Sequence, residues 1–313
     1  MSEIKLFRLV AGKATEVAGS ASDLEKPLQT LIEQNLEPLL GIRFLTTEHS
    51  TGKTHAGRID TLGIDENDCP VILEYKRSLG ENVINQGLFY LDWLMDHQGD
   101  FKLLVMNHYD KEAAERIDWS EPRLICVAAD FTKYDAHAVQ QMNRSIELIR
   151  YRRFGTDLLL FELVNATTAK VGTDQKVSRN AGKLTRADKD RGTDKTIVES
   201  LAEMSLSVRE LFESVEGFVM SLGDDVQRKD LKLYVAYKRL RNFVSVVIHK
   251  DKLVLYLRLD PSKIELVKDF TRDVRNIGHR ATGDIEVTIS NDANFECAKL
   301  LIRQAYEGGP SAG

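Results

Sequence analysis

Three polar side chains interrupt two otherwise apolar runs in the first third of the chain. Asp60 lies in Arg58-Ile59-Asp60-Thr61-Leu62, and Glu74 and Lys76 lie in Val71-Ile72-Leu73-Glu74-Tyr75-Lys76. The β-branched residues of both runs favour strands. Residues i and i+2 of a strand share a face, so Glu74 and Lys76 project together. Asp65-Glu66-Asn67-Asp68 reads as a turn between the two runs. The resulting hairpin can bring Asp60 alongside Glu74 and Lys76. Two carboxylates and one ammonium on a single surface suit phosphodiester hydrolysis. Carboxylate oxygens hold Mg²⁺, a hard cation that keeps several waters. The metal polarises a phosphoryl oxygen and makes a bound water more acidic. A lysine beside it orients or deprotonates the attacking water, or stabilises developing negative charge.

The order Gly57-Arg58-Ile59-Asp60, then Glu74-Tyr75-Lys76, resembles the catalytic motif of the PD-(D/E)XK nuclease superfamily. Asn85-Gln86-Gly87-Leu88-Phe89-Tyr90 is similar to the Gln-xxx-Tyr element of RecB-like members, and Gln86 and Tyr90 fall on one helix face. Leu24-Glu25-Lys26-Pro27-Leu28-Gln29 resembles the first helix of that core, where a glutamate contributes to the metal site. The branch it resembles most is the NucS-like (EndoMS-like) endonucleases, over about residues 20–165.

The resemblance implies a restriction-endonuclease-like α/β fold, a mixed sheet of about five strands flanked by helices. It implies an endonuclease that cleaves DNA with Mg²⁺ or Mn²⁺, in repair or defence, and a homodimer. Asp60, Glu74 and Glu25 would be the metal ligands, with Glu33 the second choice for the last position. Asp60, Glu74, Lys76 and Gln86 would form the catalytic group, and Tyr90 would contact nucleic acid or support the site. The alternative is an inactive nuclease-fold module that binds nucleic acid or a protein partner. Arg58 shares the face of Asp60 and reads equally as a phosphate contact or one half of an ion pair. Arg77 reads as a phosphate contact beyond the strand or as a surface ion pair, and Trp93 as core.

The elements that must position these residues can be placed in outline. Residues 3–18 read as short strands or a hairpin. A helix fits 22–37, with Pro27 in its first turn and Pro38 and Gly41 at its end. Strands fit 42–46, 57–64 and 70–76, and a long helix fits 81–97. Phe101 to Met106 reads as a buried strand. Helices then fit 110–117 and 134–143, and strands fit 124–128, 146–152 and 158–164. Residues 166–195 are rich in Thr, Lys, Asp, Arg and Gly and read as a polar linker. The chain thus divides into a nuclease-like domain at 1–165, the linker, and a smaller α+β domain at 196–313. In the latter, helices fit 197–219, 264–270 and 293–306, and strands fit 233–237, 243–248, 253–259 and 285–289.

The second domain resembles an uncharacterised bacterial family that is sometimes labelled a transport protein. The likeness rests on Tyr237-Lys238, Phe243-Val244, Leu253–Leu257, Gly278-His279 and Gly283–Val287. Between Arg228 and Arg258 lie nine Lys or Arg against Asp230 and Asp251, interleaved with Tyr234, Tyr237, Phe243 and Tyr256. Such a surface, with Lys238, Arg239 and Arg241, suits a phosphate backbone and stacking on unpaired bases. The other reading is an ordinary sheet with aromatics in the core and charges in solvent.

Composition narrows the remaining classes. The 313 residues carry a net charge of −5, so nucleic-acid binding requires a local patch and not bulk charge. No apolar run reaches the ~18 residues that span a membrane, so a cytoplasmic protein is expected. The three cysteines are far apart and form no CxxC pair, which argues against a zinc site or a disulfide framework. No HExxH or GxSxG pattern supports a zinc or serine hydrolase. Gly52-Lys53-Thr54 lacks the upstream glycine of a P-loop.

Overall fold

The computed structural model describes residues 4–20, 25–52, 56–76, 83–167, 196–278 and 281–308. These fall into two compact units, one up to Thr167 and one from Thr196. The linker reading at 166–195 and the side chain of Glu25 lie largely or wholly outside the described residues.

The first unit opens with a hairpin of β1 (Leu6–Val10) and β2 (Lys13–Val17), turned at Ala11-Gly12. Both turn residues have positive φ, which matches the twist of the strands. There follow β3 (Gly19–Ser20), α1 (Glu25–Gln34), α2 (Leu36–Leu40), β4 (Ile42–Ser50), β5 (Arg58–Asp65) and β6 (Pro70–Lys76). Then come α3 (Val83–Asp96), α4 (Gln98–His108), α5 (Lys111–Arg116), β7 (Arg123–Ala128), α6 (Lys133–Gln140), β8 (Ser145–Phe154) and β9 (Leu158–Thr167).

Seven strands form one mixed sheet in the order β3-β8-β7-β6-β5-β4, with β9 also paired to β8. β6, β7 and β8 run parallel, and the other pairings are antiparallel. Parallel neighbours need crossovers, which α3 to α5 and α6 supply. Leu62, Ile64, Ile72, Leu124, Cys126, Ile146 and Leu148 pack beneath these helices with Ile84, Tyr90, Leu91, Trp93, Leu94 and Phe101. The sequence expectation of a mixed sheet flanked by helices is met, with more strands than the five expected.

Two local expectations are corrected. Phe101 to Met106 belongs to α4: Phe101 and Val105, four residues apart, are buried, while Lys102, Leu103 and Met106 are exposed. That spacing is helical. The helix expected over 22–37 is broken at Asn35, whose side-chain amide donates to Leu31 O at 2.8 Å and competes with the helical ladder.

The second unit contains α7 (Ile197–Glu203), α8 (Leu206–Met220), β10 (Gln227–Asp230), β11 (Val235–Lys238), β12 (Asn242–Ile248), β13 (Leu253–Leu257), β14 (Thr271–Asp273), β15 (Ile285–Ile289) and α9 (Asp292–Tyr306). Its sheet is antiparallel throughout, in the order β10-β11-β12-β13-β15-β14. Val235, Val244, Val246, Leu255, Leu257 and Val287 meet Leu211, Phe212, Val215 and Ile302 of α8 and α9. Antiparallel strands with helices packed on one face make this an α+β unit. Residues 264–270 are not the expected helix. A 3₁₀ turn at Pro261–Lys263 precedes a loop in which the Val267 N–H donates to the Thr271 hydroxyl at 2.6 Å. The expected helix over 197–219 divides where Ser205 caps α8. No helix among the described residues is long and apolar enough to cross a membrane.

Candidate active site

The β5–β6 hairpin places the central carboxylates. Its turn is held by Asp65, whose Oδ1 accepts from the N–H groups of Asn67 and Cys69 at 2.9 Å each. Register then runs from Ile64↔Pro70 to Thr61↔Leu73 and goes no further. At the next position the backbone bonds give way to side chains. Glu74 Oε1 accepts from the Asp60 N–H at 3.2 Å, and Asp60 Oδ2 accepts from the Tyr75 N–H at 3.0 Å. Strand alternation puts Asp60 with Leu62, and Glu74 with Ile72, on the face covered by α3. Glu74 is completely buried, whereas Asp60 and Lys76 are partly exposed. Parallel register sets Glu74 beside Cys126 and Lys76 beside Ala128. Burial raises the Cys126 thiol pKa, and Glu74 raises it further, while Lys76 acts in the opposite sense. Glu74 and Lys76 thus lie beside successive same-face positions of β7.

The opposite face fastens this corner to α1. Gln29 is buried, and its Nε2 lies 2.9 Å from Asp60 O, 2.9 Å from Glu33 Oε1 and 3.1 Å from Thr47 Oγ1. Thr61 donates to Glu33 Oε1 at 2.6 Å and approaches the Tyr75 hydroxyl at 3.3 Å. Burial pushes the Tyr75 phenol well above its usual range. Glu33 is thus engaged on the Thr61 and Tyr75 side of the sheet, away from the face of Asp60 and Glu74. Glu25 opens α1, one turn before Gln29.

Gln86 and Tyr90 come together on α3, as their spacing requires. The Gln86 amide donates to the Tyr90 hydroxyl at 3.2 Å, and so does the Arg58 N–H, also at 3.2 Å. Tyr90 is 5% exposed, and a Cβ on Gly57 would lie 2.6 Å from its ring. Of the two expectations for Tyr90, this packing suits support of the site: the ring lies against Gly57 and clamps the start of β5. The Thr51 hydroxyl bonds both backbone groups of Gly57 and fixes the same point from the other side.

Arg58 is exposed and pairs through Nε with Glu48 Oε2 at 2.6 Å. Glu48 Oε1 takes Lys26 at 2.7 Å. These cations, Lys26 first, hold the Glu48 carboxyl below its usual pKa. Arg77 and Lys53 lie outside the described residues. Sequence reasoning missed Gln29 and Glu48. Gln29 follows Glu25 at helical spacing, which could have marked it; Glu48 carries no such signal.

The basic stretch of the second unit mixes buried and exposed side chains. Lys238 is 2% exposed, and Tyr234, Tyr237 and Phe243 are buried. Lys238 is enclosed within β11, whereas its neighbour Arg239 is exposed. Arg239 pairs with Asp225 at 2.5 Å and lies over the Tyr306 ring at 4.8 Å. Arg241 is partly exposed.

Among the described residues no three His, Cys, Asp or Glu side chains gather as a metal cluster. The candidate donor set is therefore Asp60 and Glu74, with the Glu25 side chain undescribed. A carboxylate offers about four lone-pair positions, and each of these bonds its neighbouring N–H through one oxygen. Mg²⁺ commonly takes one or two carboxylates and fills its octahedron with water and phosphate oxygens. The residues present fit that cation.

Residues 197–308 match the family described as "Domain of unknown function (DUF5655)". A protein of Haemophilus influenzae described as uncharacterized is 28% identical over 316 residues, spanning 97% of this chain and all of that one. A solved structure, "Structure of EndoMS-dsDNA2 complex", aligns with 39% of this chain at 19% identity and a TM-score of 0.22. The aligned part spans 43% of that solved chain.

Proposed function

We propose that the first unit is a divalent-metal-dependent phosphodiesterase that cleaves DNA. The observation that carries this reading is the exchange of hydrogen bonds between Asp60 and Glu74 where the β5–β6 ladder stops. The motif resemblance and the partly exposed Lys76 on the same face support it. Asp60 and Glu74, with Glu25 as the third candidate, would hold Mg²⁺ or Mn²⁺. Such a cation supplies Lewis-acid polarisation of the phosphoryl group and a more acidic bound water.

The chain's own residues do the rest. The Asp60 N–H holds Glu74, and the Tyr75 N–H holds Asp60, so neither carboxylate must reorganise during the reaction. Lys76 brings an ammonium that orients the attacking water or stabilises charge on the phosphate. Gln86 steadies Tyr90, which fixes the strand that carries Asp60.

A nicking assay on supercoiled, branched and mismatched DNA tests this, with Mg²⁺, with Mn²⁺ and with EDTA. Cleavage should need the metal and should vanish in Asp60→Ala and Lys76→Ala, with duplex binding retained. Binding without cleavage in either metal would replace hydrolysis by a binding role, and the absence of both would end the nucleic-acid reading.

A further inference from the structure

Glu48 has an unusual backbone for its place. The pairs Thr47↔Thr61 and His49↔Ile59 set it across from Asp60, on β4 at the edge of the sheet. Its φ is +52°. A residue with a Cβ adopts that left-handed conformation at a cost in free energy, and the conformation persists only where the surroundings hold it. Its carboxylate is divided between two cations. One carboxylate oxygen takes Lys26 from α1 and the other takes Arg58 from β5. Lys26 also reaches Gln29 Oε1 at 3.3 Å, the residue whose amide holds Asp60 O.

Stability does not account for this arrangement. The side chains of Lys26 and Arg58 are 59% and 67% exposed, and exposed ion pairs contribute little. The geometry does suit presentation. Glu48 engages Arg58 at Nε, and the side chain stays largely exposed, so a phosphate can approach the guanidinium's Nη pair from solvent. That Nη pair matches two phosphate oxygens. Two cations and one carboxylate leave a charge of +1, which one backbone phosphate would neutralise.

We infer that Glu48 is a positioning residue that sets Arg58, with Lys26, to receive a phosphate of the nucleic-acid strand passing beside Asp60. This rests on the proposed nuclease reading and adds the strand-binding subsite to it.

The test is binding of a fluorescein-labelled DNA duplex by the full chain in EDTA, over a range of salt, together with thermal melting. Arg58→Ala should bind about tenfold more weakly, the loss of one charge-assisted contact. The slope of log affinity against log salt should shrink by about one. Glu48→Gly relieves the left-handed backbone, so its melting temperature should rise, while its duplex affinity falls toward that of Arg58→Ala. The Glu48→Gly/Arg58→Ala double variant should bind no more weakly than Arg58→Ala alone, because both remove one contact. Lys26→Ala should show the same salt signature. A Glu48→Gly protein that is more stable yet binds as well as wild type, or more tightly, would overturn the inference and leave the nuclease reading standing. A wild-type chain that neither binds nor cleaves duplex would overturn both.

Discussion

Asp60 and Glu74 are each fastened to the other's strand: Glu74 Oε1 accepts from the Asp60 N–H, and Asp60 Oδ2 accepts from the Tyr75 N–H. The bonds separate charge from shape. In Glu74→Gln the amide oxygen still accepts from Asp60, so the fold should survive with a melting temperature within about 3 °C of wild type. The negative charge is lost, and cleavage should fall by more than about 100-fold, since even outer-sphere changes at metal sites cost 10–100-fold. Glu74→Ala differs, because it empties the place of a fully buried side chain and leaves the Asp60 N–H without this acceptor. It should lose about 1–3 kcal/mol of stability as well. Single-turnover nicking rates and urea melts on both variants check the distinction.

Gly57 meets Tyr90 more closely than any side chain there would allow. A Cβ would sit 2.6 Å from the ring and 2.9 Å from the hydroxyl. The ring cannot slide away cheaply, because its hydroxyl is held by Arg58 and Gln86. Gly57→Ala should therefore cost about 1–3 kcal/mol, the usual range for overpacking. Replacing the ring in the same chain, as Gly57→Ala/Tyr90→Leu, should cost less than the sum of the single changes, since the clash is shared. Urea denaturation of the four proteins reads out the coupling.

These two corners differ in how far the sequence exposes them. The β5–β6 hairpin is legible because β-branched runs flank an acidic turn and the polar interruptions fall at strand spacing. Gln86 and Tyr90 are legible as a helix-face pair, but not the burial of Tyr90, which depends on the absence of a side chain at Gly57, far away in sequence. α4 is not legible. Phe101, Leu103, Leu104, Val105 and Met106 make an apolar run whose period does not tell a buried strand from a helix. Glu48 is invisible for another reason: its role comes from one backbone angle and two partners on different elements. In the second unit, interleaved basic and aromatic residues do not reveal which face turns inward. Strand alternation sends Tyr237 to the core with Val235.

Arg123 ties the hairpin turn to the centre of the sheet. Its Nη1 meets Asp65 Oδ2 at 2.6 Å and its Nε meets Glu147 Oε1 at 2.9 Å, all three side chains being at most 5% exposed. Arg123→Met leaves two buried carboxylates without their common cation, and should cost about 3–5 kcal/mol. The triple change Arg123→Met/Asp65→Asn/Glu147→Gln removes the charges together and should recover much of that loss. Asn can still accept from the N–H groups of Asn67 and Cys69 at the turn. Chemical denaturation monitored by the tryptophans of this unit, Trp93 and Trp119, measures both.

His49 makes the stability of the first unit depend on pH. Its ring lies 5.5 Å from Trp93, which in turn stacks on His97 at 4.5 Å. Burial lowers the His49 pKa, and Asp100 opposes the shift only in part. In the unfolded chain His49 titrates near its ordinary value, so between that value and the lower folded one the unfolded state binds the extra proton. Stability is then fully present above about pH 6.5 and declines as pH falls toward the folded pKa, below which it levels off. His249 in the second unit is also lowered, by burial and then by Lys252, and contributes a similar slope there. Tryptophan fluorescence isolates the first unit, because Trp93 and Trp119 both lie in it. Melting followed at pH 8, 7, 6 and 5 should show a falling midpoint for wild type and a shallower fall for His49→Gln. An equal slope in the two proteins would remove His49 as the cause.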